Sequence, residues 1–281
     1  MGSAGYARLI LVIAHYSIDI PFKMNMNQRT EQHTSTWAHV LVLFFGITMV
    51  ACGSGADVHT AHNSLTDEER DEGWILLFDG ETTDGWRGYN QSEFPANGWV
   101  VEDGTLRCIG SETGDYVGEG GDILYDQQFQ DFRISLEWKL SEAGNSGIFY
   151  LGQELEGEPI WKSAPEMQIL DNENHPDATH GQDGNRKAGS LYDLLPADPQ
   201  NTKPVGEWNH AEVMVNNGTI THFQNGEPVV EYEMGTSTWE RMVEASKFAE
   251  FPEFGKYQPG YIALQDHGDD VWFRNIKLLP M

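Results

Sequence analysis

Cysteine is nearly missing from this chain: 281 residues contain only Cys52 and Cys108. With Cys52 assigned below to another role, Cys108 has no partner, and no intrachain disulfide can staple the fold. Stability has to come from an apolar core. Basic residues are also scarce. Lys and Arg number 17 against 44 Asp and Glu, a formal net charge of −27. A field of that sign repels phosphate backbones, so nucleic acid is excluded as a partner. Acidity by itself names no ligand. Long apolar runs are missing too. The one candidate, "WAHVLVLFFGITMVA" at Trp37–Ala51, falls short of the ~20 residues that a membrane-spanning helix needs. No repeat of fixed period is visible.

What that run does suit is the apolar region of a secretory signal, by its length and by the small residues that follow. "MVAC" resembles a bacterial lipobox, whose cysteine, here Cys52, is diacylated and becomes the new N-terminus. Met49 stands where Leu is usual, and the preceding segment sets Arg29 against Glu31. An ordinary cleaved signal and a single anchor helix therefore remain alternatives, and Met24 and Met26 offer later starts. Every version puts the rest of the chain outside the cytoplasm, lipid-anchored at the bacterial cell envelope or secreted, touching membrane only through the N-terminal lipid. Residues 1–51 are thus read as a signal region. Residues 52–71, including the small and polar "GSGADVHTAHNSL", are read as a flexible tether that ends in the acidic "LTDEERDEGW" with one helical turn. Residues 72–281 form one domain with room for a sizeable core.

From Trp74 onward the pattern is β. Strands are expected at Trp74–Phe78, Trp99–Glu102, Thr105–Ile109, Asp122–Tyr125, Phe129–Leu140, Ser146–Leu151, Glu166–Leu170, Trp208–Asn216, Thr219–Gln224, Pro228–Glu233, Tyr261–Gln265 and Val271–Leu279. "EDGT", "NNGT" and "QNGE" between them carry the Asp-Gly or Asn-Gly of short hairpins. One late helix interrupts: "STWERMVEASKFAEF" opens with Ser237 and Glu240 in capping-box spacing, and Trp239, Met242, Val243 and Phe248 share a face. A dozen short strands and one helix predict an all-β fold, a two-sheet antiparallel jelly-roll sandwich.

Polar residues recur in pairs on otherwise apolar strands. Glu166 and Gln168 alternate to one side while Met167 and Ile169 go to the other. "AGSLYDL" reads as a strand with Ser190 and Tyr192 on one face, and Gln265 and His267 share a face at the end of "IALQDHG". Three such strands would tile a concave polar surface, as a sugar site requires. A carboxylate and an imidazole there could move protons. Gly144 and Gly147 in "AGNSGIFYLG" let something approach closely, with Asn145 and Ser146 between them. Trp86 and Trp161, beside polar loops, are candidates for stacking on a sugar ring, whereas Trp74, Trp99, Trp138, Trp208 and Trp272 read as core. The loop Asp171–Lys187 holds His175, Asp177, His180 and Asp183. A divalent cation could sit there, although His-x4-His on an irregular loop is not a ligand spacing of note, and a solvated loop is the simpler reading of His180 and Asp183. Glu166-x-Gln168-x-x-Asp171 overlies the E-x-D-x-x-E register of retaining β-sandwich glucanases, but with an amide in the middle. Retaining chemistry needs two carboxyls about 5–5.5 Å apart, and Gln168 supplies none.

The stretches "GWILLFDGETTDGW", "NSGIFY", "PEMQILDNENHPDA", "AGSLYDL", "WNHAEVMVNNGTITHFQNGE" and "GYIALQDHGDDVWFRNI" resemble the 3-keto-disaccharide hydrolase family from Glu72 to Leu278. The resemblance implies a concanavalin A-like sandwich and makes 72–281 a catalytic domain for a carbohydrate substrate, a 3-keto-glycoside. It implies cleavage of sugars already oxidised at C3. The ketone acidifies the C2 hydrogen, a base removes it, the C1 substituent leaves by β-elimination, and water can then add. Such chemistry needs a base, an acid and something to hold an enolate. Mapped onto this chain, Glu166 or His267 takes the proton and the other assists the leaving oxygen. His175, Lys187 and Tyr192 polarise the ketone or position hydroxyls, while Asn145, Gln168, Asp171 and Gln265 bind sugar. The resemblance names no certain cofactor, and a divalent metal ion on the loop is an option, which would then stabilise the enolate. A non-catalytic carbohydrate-binding module and an ordinary glycoside hydrolase are the competing readings.

Overall fold

The computed structural model describes residues 62–111 and 120–281. The signal region, Cys52 and the first part of the expected tether lie outside the described residues. From His62 on, the chain is already part of the domain. Asn63 and Asn275 clasp each other: Asn63 N donates to Asn275 Oδ1 at 2.7 Å, and Asn275 N donates to Asn63 Oδ1 at 2.8 Å. Helix α1 (Asp67–Glu72) follows, with a complete capping box between Thr66 and Glu69, and Glu69 pairs with Lys277. Residues 62–71, expected as tether, thus carry defined structure built onto the last strand.

Thirteen strands are present among the described residues: β1 (Ile75–Leu76), β2 (Trp86–Gly88), β3 (Trp99–Glu102), β4 (Thr105–Cys108), β5 (Ile123–Tyr125), β6 (Phe132–Leu140), β7 (Asn145–Gly152), β8 (Glu166–Leu170), β9 (Asn209–Asn216), β10 (Thr219–Gln224), β11 (Glu227–Glu233), β12 (Tyr261–Leu264) and β13 (Val271–Pro280). They form two antiparallel sheets. The larger runs β11-β10-β9-β6-β13-β4-β3, with β1 also on β13; the smaller runs β2-β5-β12-β7-β8. This is the expected two-sheet sandwich.

Alternation builds the core between the sheets. Phe132, Ile134, Leu136 and Trp138 of β6 face Ile148, Tyr150, Met167 and Ile169 of β7 and β8 across it. The smaller sheet is also covered on its outer side, where Leu124, Phe149, Ile160, Ala164 and Ala263 form a second apolar cluster. Every residue of β7 and β8 is consequently buried, and polar side chains on that outer face must find partners in the protein or in a ligand.

Four local expectations change. Trp86 belongs to the core, with its indole N–H donating to Leu77 O at 2.7 Å, so it cannot stack on a sugar. "AGSLYDL" forms turns with isolated bridges at Leu191. Ser190 Oγ accepts from Ala197 N at 3.0 Å, inside the domain, while Tyr192 points elsewhere. Helix α2 (Ser237–Glu244) is capped by Thr236, which accepts from Trp239 N, and not by a Ser237–Glu240 box. It also ends early: the chain turns at Ala245 and Ser246 and re-forms as a 3-10 turn, Lys247–Glu250, which lets Phe248 stack flat on Phe254 at 4.0 Å.

Candidate active site

On the outer face of the smaller sheet lies a cavity of about 340 Å³. Its floor is the ends of three adjacent strands, and its walls come from three connections. Asn145 opens β7, Glu166 and Gln168 stand on β8, and Gln265 and His267 follow β12. Trp161, Tyr192 and the 3-10 turn carrying Lys247 and Phe248 close the sides. Seven sequence-predicted residues thus meet in one place: Asn145, Trp161, Glu166, Gln168, Tyr192, Gln265 and His267.

Glu166 is 7% exposed because β7 makes room for it. A Cβ placed on Gly147 would lie 2.2 Å from Glu166 Oε1 and 2.7 Å from its Cγ. The close approach anticipated at "NSGIFY" is this carboxyl. The Gln168 amide, with its nitrogen turned inward, donates to Ser146 O and to Glu166 Oε1, each at 2.9 Å. The reverse orientation would set an oxygen against two acceptors. Burial raises the Glu166 pKa to about 8, with Lys247 pulling it down and Asp122 and Asp177 pushing it up. At neutral pH this carboxyl is mostly protonated.

His267 shows the opposite consequence of burial. Its pKa is held below 6.5, first by desolvation and then by His175, against the pull of Asp177 and Asp266, so the ring is neutral at pH 7. The strand end that carries it is braced from beneath. Asp266 accepts from Gly121 N at 2.9 Å, Gly268 N at 3.0 Å and Cys108 Sγ at 3.2 Å. Asp270 takes Arg107 Nη2 at 2.7 Å, and Asp269 takes Asn145 N at 3.1 Å. The crowd of acids after Gln265 is what fixes the approach of Gln265 and His267 to the cavity.

Two acceptors on the floor have no hydrogen-bond partner among the described residues: Asn145 Oδ1 and Gln265 Oε1, both on buried atoms. Buried amide oxygens left this way cost about 1–3 kcal/mol each, which a ligand rich in hydroxyl donors would recover. Sugars are such ligands.

Three predicted residues fall elsewhere. Asp171 is buried as a loop brace, accepting from Ala143 N, Glu173 N, Asn174 N and the Asn174 amide at 2.8–3.2 Å. It does not line the cavity, which removes the glucanase register. Lys187 is not a lining residue either, because its alkyl chain lies against Gly184 in the turn before Ala188. His175 stands one layer behind, its ring 6.1 Å from that of His267 at 79°. Donor atoms of His175, His267 and Asp269 lie within 4.8 Å of one another, a cation-sized grouping distinct from the loop set His175, Asp177 and His180. Yet His175 Nδ1 already accepts from Asp177 N at 3.1 Å. Either ring nitrogen of His175 could bind a cation only by giving up that bond, about 1 kcal/mol of cost to a metal at this grouping.

Sequence reasoning missed Lys247 and Asp122. Asp122 lines the cavity and accepts from Asp266 N at 3.0 Å; burial lifts its pKa to about 7. Its position at the start of β5 is a signal only in hindsight of the strand order. Lys247 sits in a segment whose periodicity reads as continuing helix, and nothing in its spacing points to the site.

Known proteins resemble this chain over most of its length. A family model for the 3-keto-alpha-glucoside-1,2-lyase-like domain matches residues 73–279. A Bacteroides thetaiotaomicron protein named 3-keto-disaccharide hydrolase is 48% identical over 227 residues, covering 74% of this chain and 78% of that protein. A proposed glycosyl hydrolase of Parabacteroides distasonis, known from a crystal structure, is 31% identical with a TM-score of 0.69, over 79% of this chain and all of that one. A further one from the same organism is 26% identical, with a TM-score of 0.51 over 74% of this chain and 84% of that one.

Proposed function

This chain belongs to the 3-keto-alpha-glucoside-1,2-lyase-like family, and on that premise we propose that it cleaves the glycosidic bond of sugars carrying a ketone at C3. The reaction assigned here is a β-elimination. Neutral His267 takes the proton from C2, protonated Glu166 gives one to the glycosidic oxygen, the C1–O bond breaks and a C1–C2 double bond forms beside the ketone. Each product of the transfer then holds the form needed for the reverse proton movements, so water can add across the double bond with net hydrolysis. An acid and a base of this kind contribute about 10²–10⁴-fold each. Asn145 and Gln265 receive sugar hydroxyls, and Trp161 offers a ring face.

The observation that carries the reading is the pairing in one cavity of a carboxyl with pKa about 8 and an imidazole held below 6.5. Opposite displacements of this sort give each group the protonation state its task needs near pH 7. A lectin gains nothing from that pairing. One observation favours a second reading: Asp122 shares the cavity with Glu166, and two carboxyls could serve an ordinary glycosidase. Incubation with 3-keto-trehalose and 3-keto-glucosides beside their unoxidised parents separates the two. Release is expected from the keto sugars alone, and Glu166→Gln and His267→Ala abolish it with the fold intact. Turnover of an unoxidised parent would overturn the proposal in favour of the glycosidase.

A further inference from the structure

We propose that Lys247 is the cation that receives the ketone oxygen of the oxidised sugar and holds it as the C2 proton leaves. The inference rests on the reading above, and it concerns the step that reading leaves without a partner: removing a proton next to a ketone moves negative charge onto the oxygen. The cavity is a poor place for that charge. Asp122 and Asp266 line it, and among the described residues Lys247 is the only lining residue that carries a formal positive charge.

The position of Lys247 suits the task. It begins the 3-10 turn Lys247–Glu250, which is pinned at both its cap and its next residue. Ser246 Oγ accepts from Phe248 N at 3.1 Å, and Phe248 stacks on Phe254 in the core. The ammonium lies 4.2 Å from the Tyr192 ring centroid and 5.2 Å from that of Phe248. These faces attract it and limit its directions, while 40% of its side chain stays exposed. Its nearest carboxylate oxygen, Asp193 Oδ2, is 3.9 Å away, beyond hydrogen-bond reach. Asp193 gives its short contact to Arg186 Nε, at 2.6 Å. Among the described residues the ammonium thus has neighbours that fix it and no hydrogen-bond acceptor that occupies it. Burial and Arg186 lower its pKa, while Asp193, Glu166 and Asp177 raise it.

A cation aimed at an oxygen that becomes negative only during reaction acts on the rate more than on binding. An unoxidised ring offers a hydroxyl at the same place, with no charge to develop. Lys247 would therefore be a catalytic residue that also makes the site selective for keto sugars.

The test uses wild type, Lys247→Met and Lys247→Arg with two ligands: a 3-keto-glucoside with a leaving group, and a 1-deoxy-3-keto sugar that has none. Exchange of the C2 hydrogen in deuterated buffer, read by NMR on the second ligand, isolates enolate formation from elimination. Lys247→Met is expected to slow exchange and release alike by about 10²–10³-fold, the usual cost of one such donor, with KM little changed. Lys247→Arg recovers at least about tenfold of that. Binding of the unoxidised parent stays within about a factor of two. Because Asp193 keeps Arg186, both variants are expected to fold, which near-ultraviolet circular dichroism checks. Three results would each overturn the role with the wild type active: exchange in Lys247→Met within about fivefold of wild type, equal loss of binding for oxidised and unoxidised ligands, or a borohydride-trapped covalent adduct at Lys247. A wild type inert toward the keto-glucoside would instead overturn the elimination reading, and this role with it.

Discussion

Replacing Glu166 by Gln should make the protein more resistant to alkali. The side chain keeps its shape and can still accept from the Gln168 amide, which Glu166 Oε1 receives at 2.9 Å, but it can no longer ionise. An ordinary glutamate titrates near 4.5, and burial moves this one to about 8. At about 1.4 kcal/mol for each tenfold in proton affinity, that span sets a ceiling of about 5 kcal/mol. The sign follows from the direction. With the folded pKa above the unfolded one, the contribution to stability is complete below pH 4.5 and disappears as pH rises through 8. Water drawn into the open cavity eases the ionised form, which brings the expected loss to about 2 kcal/mol at the effective dielectric typical of such sites. For a domain of this size that is about 4–8 °C in Tm. Thermal unfolding of wild type and Glu166→Gln at pH 4 and pH 9.5 gives the difference directly. Asp122 and Asp269, whose pKa values are also raised, titrate in both proteins and cancel. Parallel Tm curves for the two proteins would refute the claim that Glu166 is buried as a neutral acid.

The same two groups set the pH–rate profile: kcat/KM should rise below pH 6.5 as His267 loses its proton and fall near pH 8 as Glu166 loses its own, and a plateau reaching pH 10 would contradict the assignment. Gly147→Ala drives a methyl into the carboxyl at 2.2 Å, so it should cost about 1–3 kcal/mol of stability; most of that should return when Glu166→Ala is added, a coupling that a double-mutant cycle reads. Asn63→Ala removes bonds to Asn275 N and Gly104 O, about 1 kcal/mol each, and should lower Tm by about 4–8 °C without altering turnover. If Cys52 carries the lipid anchor, Cys52→Ser should move the protein from the membrane pellet to the supernatant, and an unchanged distribution would remove the anchor from the proposal.

Where strand alternation is strong, the sequence was enough. Trp99–Glu102, Glu166–Leu170 and Thr219–Gln224 run between the expected limits, because each has turn residues at both ends and a period of two within. The pairs Glu166/Gln168 and Gln265/His267 were legible for the same reason. What failed were inferences that needed the roof of the smaller sheet. Trp86 looks exposed beside "TTDG" and is core, since β2 pairs with β5 at the sheet edge and aims the indole at Leu77 O. Asp171 looks like a catalytic neighbour of Glu166, but the chain turns at once and spends the carboxylate on three donors of its own loop and on Ala143 N of the β6–β7 connection. Lys187 and Lys247 are alike in sequence, and only the break of α2 at Ala245 decides which one reaches the cavity.

That break points to how the labour is divided. The sheet supplies Asn145, Glu166, Gln168 and Gln265, whose positions are tied to strand register. Sliding any of these strands by one residue would turn the polar face into the core, so the acid and the sugar acceptors are coupled to folding itself. The connections supply Trp161, Tyr192 and Lys247, which hang from a 3-10 turn at Ile160–Lys162, from turns around Leu191, and from the segment after α2. None of these carries the register of the sandwich. Substitutions there should move ligand preference and enolate stabilisation at little expense in stability, whereas changes at Gly147 or Gln168 disturb both. The acid is therefore the part of the chemistry least free to vary, and the oxygen-binding wall is the part through which this fold can be turned toward a different sugar.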